Sequence, residues 1–181
     1  MVYKFIIGSE ESENFKLEIL IDAADTFMRL RNVILEAAGY SKDQMDSFFI
    51  CDDEWNNEKE ITFMDMGTDS DEDIWLMEDT PIEELVEDEG QKLKFVFDYM
   101  TDRYFYMRLK ETMPGKSLVD PLCQRKEGKA PQESIDIEEF VPAIPKVVDT
   151  NIEELGEEFF GDEEFNEEEL ADFDEIGSED L

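Results

Sequence analysis

Asp98, Tyr99, Asp102, Arg103 and Tyr104 place two carboxylates, a guanidinium and two phenols within seven residues. That set could bind a small ligand or assist acid–base chemistry. The plainer reading has Asp98 capping a turn, or pairing with Lys92 or Arg103 on the outer face of a sheet. Asp69, Asp71 and Asp73 have the spacing of the first three ligands of a calcium loop. However, Ile74 stands where glycine makes the sharp turn, and Thr80 stands where a bidentate Glu closes the site. A solvated acidic loop accounts better for that run. Among 51 acidic residues, paired carboxylates can be drawn anywhere, so no pair carries information. The chain contains no histidine, which removes Ser-His-Asp and Cys-His mechanisms, histidine metal sites and the usual proton shuttle near neutral pH. Glycine-rich phosphate loops and a nucleophile elbow are also missing. Cys51 falls in an apolar run, where a buried inert thiol is commoner than a nucleophile. These residues point away from catalysis and imply neither a cofactor nor a metal.

Charge sets the sign of any partner. The net charge is -35 over 181 residues, and 41% of them are hydrophobic, fourteen being Phe. Self-repulsion on that scale keeps a protein soluble and repels nucleic acids and anionic membranes. A basic protein is the partner this charge permits, with no direct nucleic-acid binding and no membrane association expected. Two distant cysteines, Cys51 and Cys123, suggest reduced thiols rather than a secreted disulfide scaffold. No apolar run approaches the length of a membrane span, and "MVYKFIIGSEE" lacks a signal peptide's apolar segment and cleavage site. A cytoplasmic location is therefore expected, while composition leaves the oligomeric state open.

Periodicity supplies the elements that would hold these residues. Residues 2–8 and 15–21 read as strands joined by a polar turn. Residues 25–38 read as the central helix, with Asp25 as cap, Phe27, Leu30, Ile34 and Ala37 on one face, and Gly39 at its end. Residues 46–53 and 60–66 read as further strands. "TPIEELVEDEG" opens like a short helix, with Thr80 as cap and Pro81 at the first helical position. In "KLKFVFDYMTDRYFYMRLKE", Leu93, Phe95, Phe97 and Tyr99 alternate with Lys92, Lys94, Val96 and Asp98. After the turn, Phe105, Met107 and Leu109 alternate with Tyr104, Tyr106, Arg108 and Lys110. This is a hairpin with a buried face and a wetter one flanked by cations.

Composition changes near "ETMPGKS", where prolines begin to recur. The expected folded domain is 1–113, with 114–181 a proline-containing linker and acidic tail, partly helical or disordered. Residues 147–181 contain no basic residue. Within them Ile152, Leu155, Phe159, Phe160, Phe165, Leu170 and Phe173 are spaced among carboxylates in a way that could fold onto a basic or apolar groove. A solubilising tail, a segment packed on its own domain, and a mimic of the DNA phosphate surface are the alternatives.

The order of strand, strand, helix ending "ILEAAGY", strand "SFFI", "TPIEELVEDEG" and "KLKFVFDY" resembles the plasmid pRiA4b ORF-3-like family, over about residues 3–111. "AAGY", "LVEDEG" and "FVFDYMTDR" stand for three of its motifs, with Asp98 and Asp102 matching two signature aspartates. Met100 or Thr101 replaces the signature Gly, and the signature Trp and His are missing. The resemblance implies an α+β domain whose mixed, curved sheet packs on the central helix in a grasp-like manner, with the acidic extension outside the shared region. Family members often occur as transposon passenger genes, which implies a link to mobile elements, but no established reaction carries over. Function is thus expected to be non-enzymatic interaction with a basic partner through acidic loops and tail. The alternative is a ligand-binding protein or enzyme built on the 97–104 hairpin turn.

Overall fold

The apolar alternation folds into one mixed sheet. The computed structural model describes residues 1–65, 67 and 74–134. Its strands are β1 (Val2–Gly8), β2 (Lys16–Asp22), β3 (Ser47–Cys51), β4 (Asn57–Thr62), β5 (Trp75–Leu76), β6 (Lys92–Asp98), β7 (Arg103–Met113) and β8 (Leu122–Glu127), with helix α1 at Phe27–Ala38. The spatial order is β5-β4-β3-β6-β7-β1-β2-β8. Every adjacent pair is antiparallel except β4 with β5. The fold is therefore α+β and dominated by strands.

Side chains alternate across a strand, so each register fixes two faces. Leu93, Phe95 and Phe97 of β6 meet Phe105, Met107 and Leu109 of β7 on the buried side, with Phe95 directly opposite Phe105. Tyr3, Phe5 and Ile7 of β1 and Leu17, Ile19 and Ile21 of β2 extend that layer. α1 covers it with Phe27, Leu30, Ile34 and Leu35. The rings form a chain: Phe27 to Phe48 at 5.3 Å between centroids, Phe48 to Phe95 at 4.8 Å, and Phe97 to Phe105 at 4.6 Å. Each such pair adds roughly 0.5–1.5 kcal/mol beyond the area it buries.

The helix termini follow different rules. Gly39 takes the left-handed conformation expected of a residue that ends a helix. At the other end the expected Asp25 cap is not formed. Thr26 is the N-cap and makes no side-chain bond, while the amides of Phe27 and Met28 donate to the carbonyls of Thr80 and Met77 at 3.1 and 2.8 Å. Backbone therefore satisfies the helix's free donors, and Asp25 accepts from Arg29 Nη1 at 2.6 Å instead. The segment that supplies those carbonyls forms a 3₁₀ turn over Ile82–Glu84, not the Thr80-capped helix expected.

α1 also buries a cation. Arg31 Nε donates to both Asp46 oxygens at 2.6 and 2.8 Å, and Nη2 donates to the carbonyls of Lys42 and Gln44. Its guanidinium carbon lies 4.1 Å from the Phe63 ring centre. A buried charge is tolerable only when paired and bonded in this way. These contacts also fix the loop that delivers β3 to the sheet.

Two strands escape the alternation rule. β5 has two residues, too few for a period. β8, "LCQRKE", is mostly exposed and joins β2 through its backbone. β4 begins earlier than expected for the same reason, since its first four side chains face water. Because β8 lies beyond Met113, the sheet continues past the domain edge drawn from composition. The following residues are fastened as well. Ser12 Oγ donates to the Lys129 carbonyl at 2.9 Å, and Tyr40 Oη donates to that of Pro131 at 2.7 Å.

Gly39 and Gly128 both have positive φ, 79° and 67°. A Cβ at Gly39 meets open space, whereas one at Gly128 collides with the Asn14 backbone, whose carbonyl carbon lies 2.6 Å away. Left-handed strain costs about 1–2 kcal/mol in either alanine variant. In urea melts Gly128→Ala should lose clearly more stability than Gly39→Ala, because it must also displace the β2–β8 connection. Equal losses would place β8 outside the cooperative unit.

Candidate functional site

The β6–β7 turn is built around Asp98. Its carboxylate accepts the Met100 amide at 3.0 Å and the Thr101 hydroxyl at 2.6 Å, and lies 3.7 Å from Arg103 Nη1. Burial opposes ionisation there, but the bonds from Thr101 and Met100 and the nearby guanidinium prevail. They hold the carboxyl below the usual carboxylate range. Asp102 takes the left-handed position of the turn, with φ of 52°, and is exposed. Arg103 is 8% exposed. It donates to Glu11 through Nε at 2.8 Å and Nη2 at 2.7 Å, to the Gln132 carbonyl at 2.6 Å, and lies 5.1 Å over the Phe97 ring.

Tyr99 leaves the strand alternation and is 48% exposed. Its hydroxyl touches Ser47 Oγ and donates to Glu60 at 2.8 Å. Burial, reinforced by the Glu60 carboxylate, raises this phenol well above its ordinary value, so it remains a donor. Tyr104 stands on the opposite face of the sheet from the core, its hydroxyl 3.2 Å from that of Tyr106. Of the five residues singled out in the sequence, only Asp98 and Arg103 are brought together. Tyr99 turns toward β3 and β4, Asp102 toward solvent, and Tyr104 toward the outer face. Asp69, Asp71, Asp73 and the tail residues Ile152, Leu155, Phe159, Phe160, Phe165, Leu170 and Phe173 lie outside the described residues.

An open groove of about 400 Å³ lies elsewhere, where the end of β3 meets the start of β6. Asp52, Asp53, Asp88 and Glu89 line it with Cys51, Gly90, Gln91 and Lys92. Asp52 accepts from the Asn56 side chain at 2.8 Å and from the amides of Asn56 and Glu54 at 2.9 and 2.8 Å. Glu89 accepts the Thr112 amide at 2.7 Å and hydroxyl at 2.9 Å. These bonds hold both carboxyls below their ordinary range, so they stay anionic. Burial pushes the Cys51 thiol up, which leaves it a poor nucleophile. Sequence reasoning passed over this groove because "CDDE" and "EDEG" lie far apart, and each reads alone as a solvated run.

The family model described as plasmid pRiA4b ORF-3-like protein matches residues 10–174. The match reaches farther than the motifs in residues 3–111 implied, and takes in most of the acidic extension expected to lie outside it. The crystal structure of a protein of unknown function from Methanosarcina mazei Go1 is similar in fold. Its TM-score is 0.53 at 12% identity, over 69% of this chain and 68% of that one. None of the curated proteins compared with the chain matches it. No described helix is long and apolar enough to cross a membrane.

The lowered carboxyl of Asp98 stabilises the fold above the ordinary carboxylate range, and that contribution is lost as pH falls through its depressed value. Asp98→Asn should therefore lower the melting temperature at neutral pH and shrink the loss seen on acidifying to about pH 3. An acid limb identical to the parent's would show that this carboxylate does not stabilise the turn.

Proposed function

The chain belongs to the plasmid pRiA4b ORF-3-like family, and we propose that it works as a non-enzymatic interaction module that captures a basic partner. The observation that carries this reading is the groove rimmed by Asp52, Asp53, Asp88 and Glu89 on a chain of net charge -35. Two of these carboxylates are kept ionised by backbone donors, so the groove offers fixed negative charge to Lys or Arg side chains. The acidic loops and tail raise the encounter rate, while Phe159, Phe160 and Phe173 supply contacts that slow dissociation. In the hairpin turn Asp98 is occupied as a cap and Arg103 as a clasp for Glu11 and Gln132, which favours interaction over a ligand-binding or catalytic role at residues 97–104. A cytoplasmic setting suits the free thiols Cys51 and Cys123. The sheet is mixed but uncurled, so the expected curvature is not kept; we read its packing with α1 as grasp-like, a reading supported by the contact of Phe27 with Phe48.

The test is binding of a fluorescein-labelled lysine- and arginine-rich peptide to the full chain. Rising salt should weaken it, and Asp53→Asn with Asp88→Asn should slow association and flatten the salt dependence. Replacing Phe159, Phe160 and Phe173 by Ala should raise the dissociation rate about tenfold. Binding indifferent to salt and to both sets of variants would refute the module.

A further inference from the structure

The outer face of the sheet carries the opposite sign. Lys92 and Lys94 of β6 and Arg108 of β7 point away from the core, beside Tyr104 and Tyr106. Lys92 and Arg108 are direct cross-strand partners. Like charges in such a pair repel. A carboxylate at either position would stabilise the sheet, and this chain has more than three acidic residues for each basic one. Ile6, on the other side of Arg108, offers no charge. Among the described residues no carboxylate lies within ion-pair distance of Arg108, Lys92 or Lys94.

The strip is also organised. Lys92 Nζ sits 5.1 Å over the Trp55 ring and bonds the Asp53 carbonyl, and Lys94 Nζ sits 4.8 Å over the Tyr104 ring and donates to Asn57 at 3.2 Å. Aromatic rings therefore hold the two ammonium groups in place while leaving them donors to spare. Trp55 and Tyr104 each pack edge-on to Tyr106. Burial pushes the Tyr106 phenol up, with the Glu10 carboxylate adding to it, so its hydroxyl remains protonated.

We propose that this strip docks an acidic peptide segment of a partner protein. Charge complementarity selects the occupant: two ammonium groups held over aromatic rings, with the exposed Arg108 guanidinium beside them, match a few adjacent carboxylates. Single-stranded nucleic acid fits less well, because bases need free ring faces to stack on. Here Lys92 and Lys94 lie over the faces of Trp55 and Tyr104. The strip adjoins the groove proposed for a basic partner and shares Lys92 with it, so the variant that separates the two readings is made at Arg108, which does not line the groove.

The experiment uses the full chain and a fluorescein-labelled glutamate-rich peptide, with salt high enough to screen charges farther than about 10 Å. Arg108 is exposed and faces Lys92 across the strands, so Arg108→Glu should keep or raise the parent's melting temperature while weakening peptide binding about tenfold or more. Arg108→Gln should fall between the two. Lys116→Glu, in the exposed turn after β7, makes the same charge change away from the strip and should bind like the parent. Absence of peptide binding, or equal loss in the Arg108 and Lys116 variants, would overturn the proposal. So would an oligo-dT strand that binds more tightly than the peptide and is released by Arg108→Glu.

Discussion

One constraint governs the described residues: a strongly acidic surface, part of the chain's net charge of -35, must be held together by a single apolar layer between sheet and helix. Repulsion among so many carboxylates acts over many residues at once and favours expansion. The opposing force is short-ranged and concentrated on the β6–β7 hairpin. Phe95, Phe97 and Phe105 join Phe48 and Phe27 on one side and Phe15 and Tyr40 on the other. The hairpin lies in mid-sheet, with β3 on one flank and β1 on the other. Loss of its rings would therefore divide the layer.

Carboxylates that remain near the sheet are given local tasks. Asp98, Asp52 and Glu89 each accept backbone amides at a turn or strand end. Asp46 neutralises Arg31, and Glu11 neutralises Arg103. A carboxylate bears only acceptors, so it suits the donors that strands and turns leave open. Among the described residues Lys92, Lys94 and Arg108 have no carboxylate within ion-pair distance, and they give the outer face its basic strip.

Much of this could be read from the residues. Period-two alternation located β1, β2, β6 and β7, and the spacing of Phe27, Leu30 and Ile34 with Gly39 located α1. What failed did so for physical reasons. β8 is held by its backbone and shows no apolar period, and β5 has two residues. The cap of α1 comes from carbonyls fifty residues downstream in place of the neighbouring Asp25. Tyr99 was assigned to the core by alternation, but the strand ends at Asp98 and the turn carries its ring outward. The basic strip was half legible: alternation separates Lys92 and Lys94 from the core, but only the register sets Lys92 opposite Arg108. Nothing in the sequence brings Trp55 from its loop to Lys92.

Two surfaces of opposite sign on one small sheet suit a protein that joins others together, provided that the sheet itself withstands the charge it carries. That condition is open to direct measurement by urea unfolding of the full chain across a range of sodium chloride. Screening should relieve the dominant repulsion, so stability should rise steadily as the Debye length shrinks from about 30 Å toward 3 Å. A fall in stability with salt would mean that specific ion pairs, and not the aromatic layer, hold the molecule together.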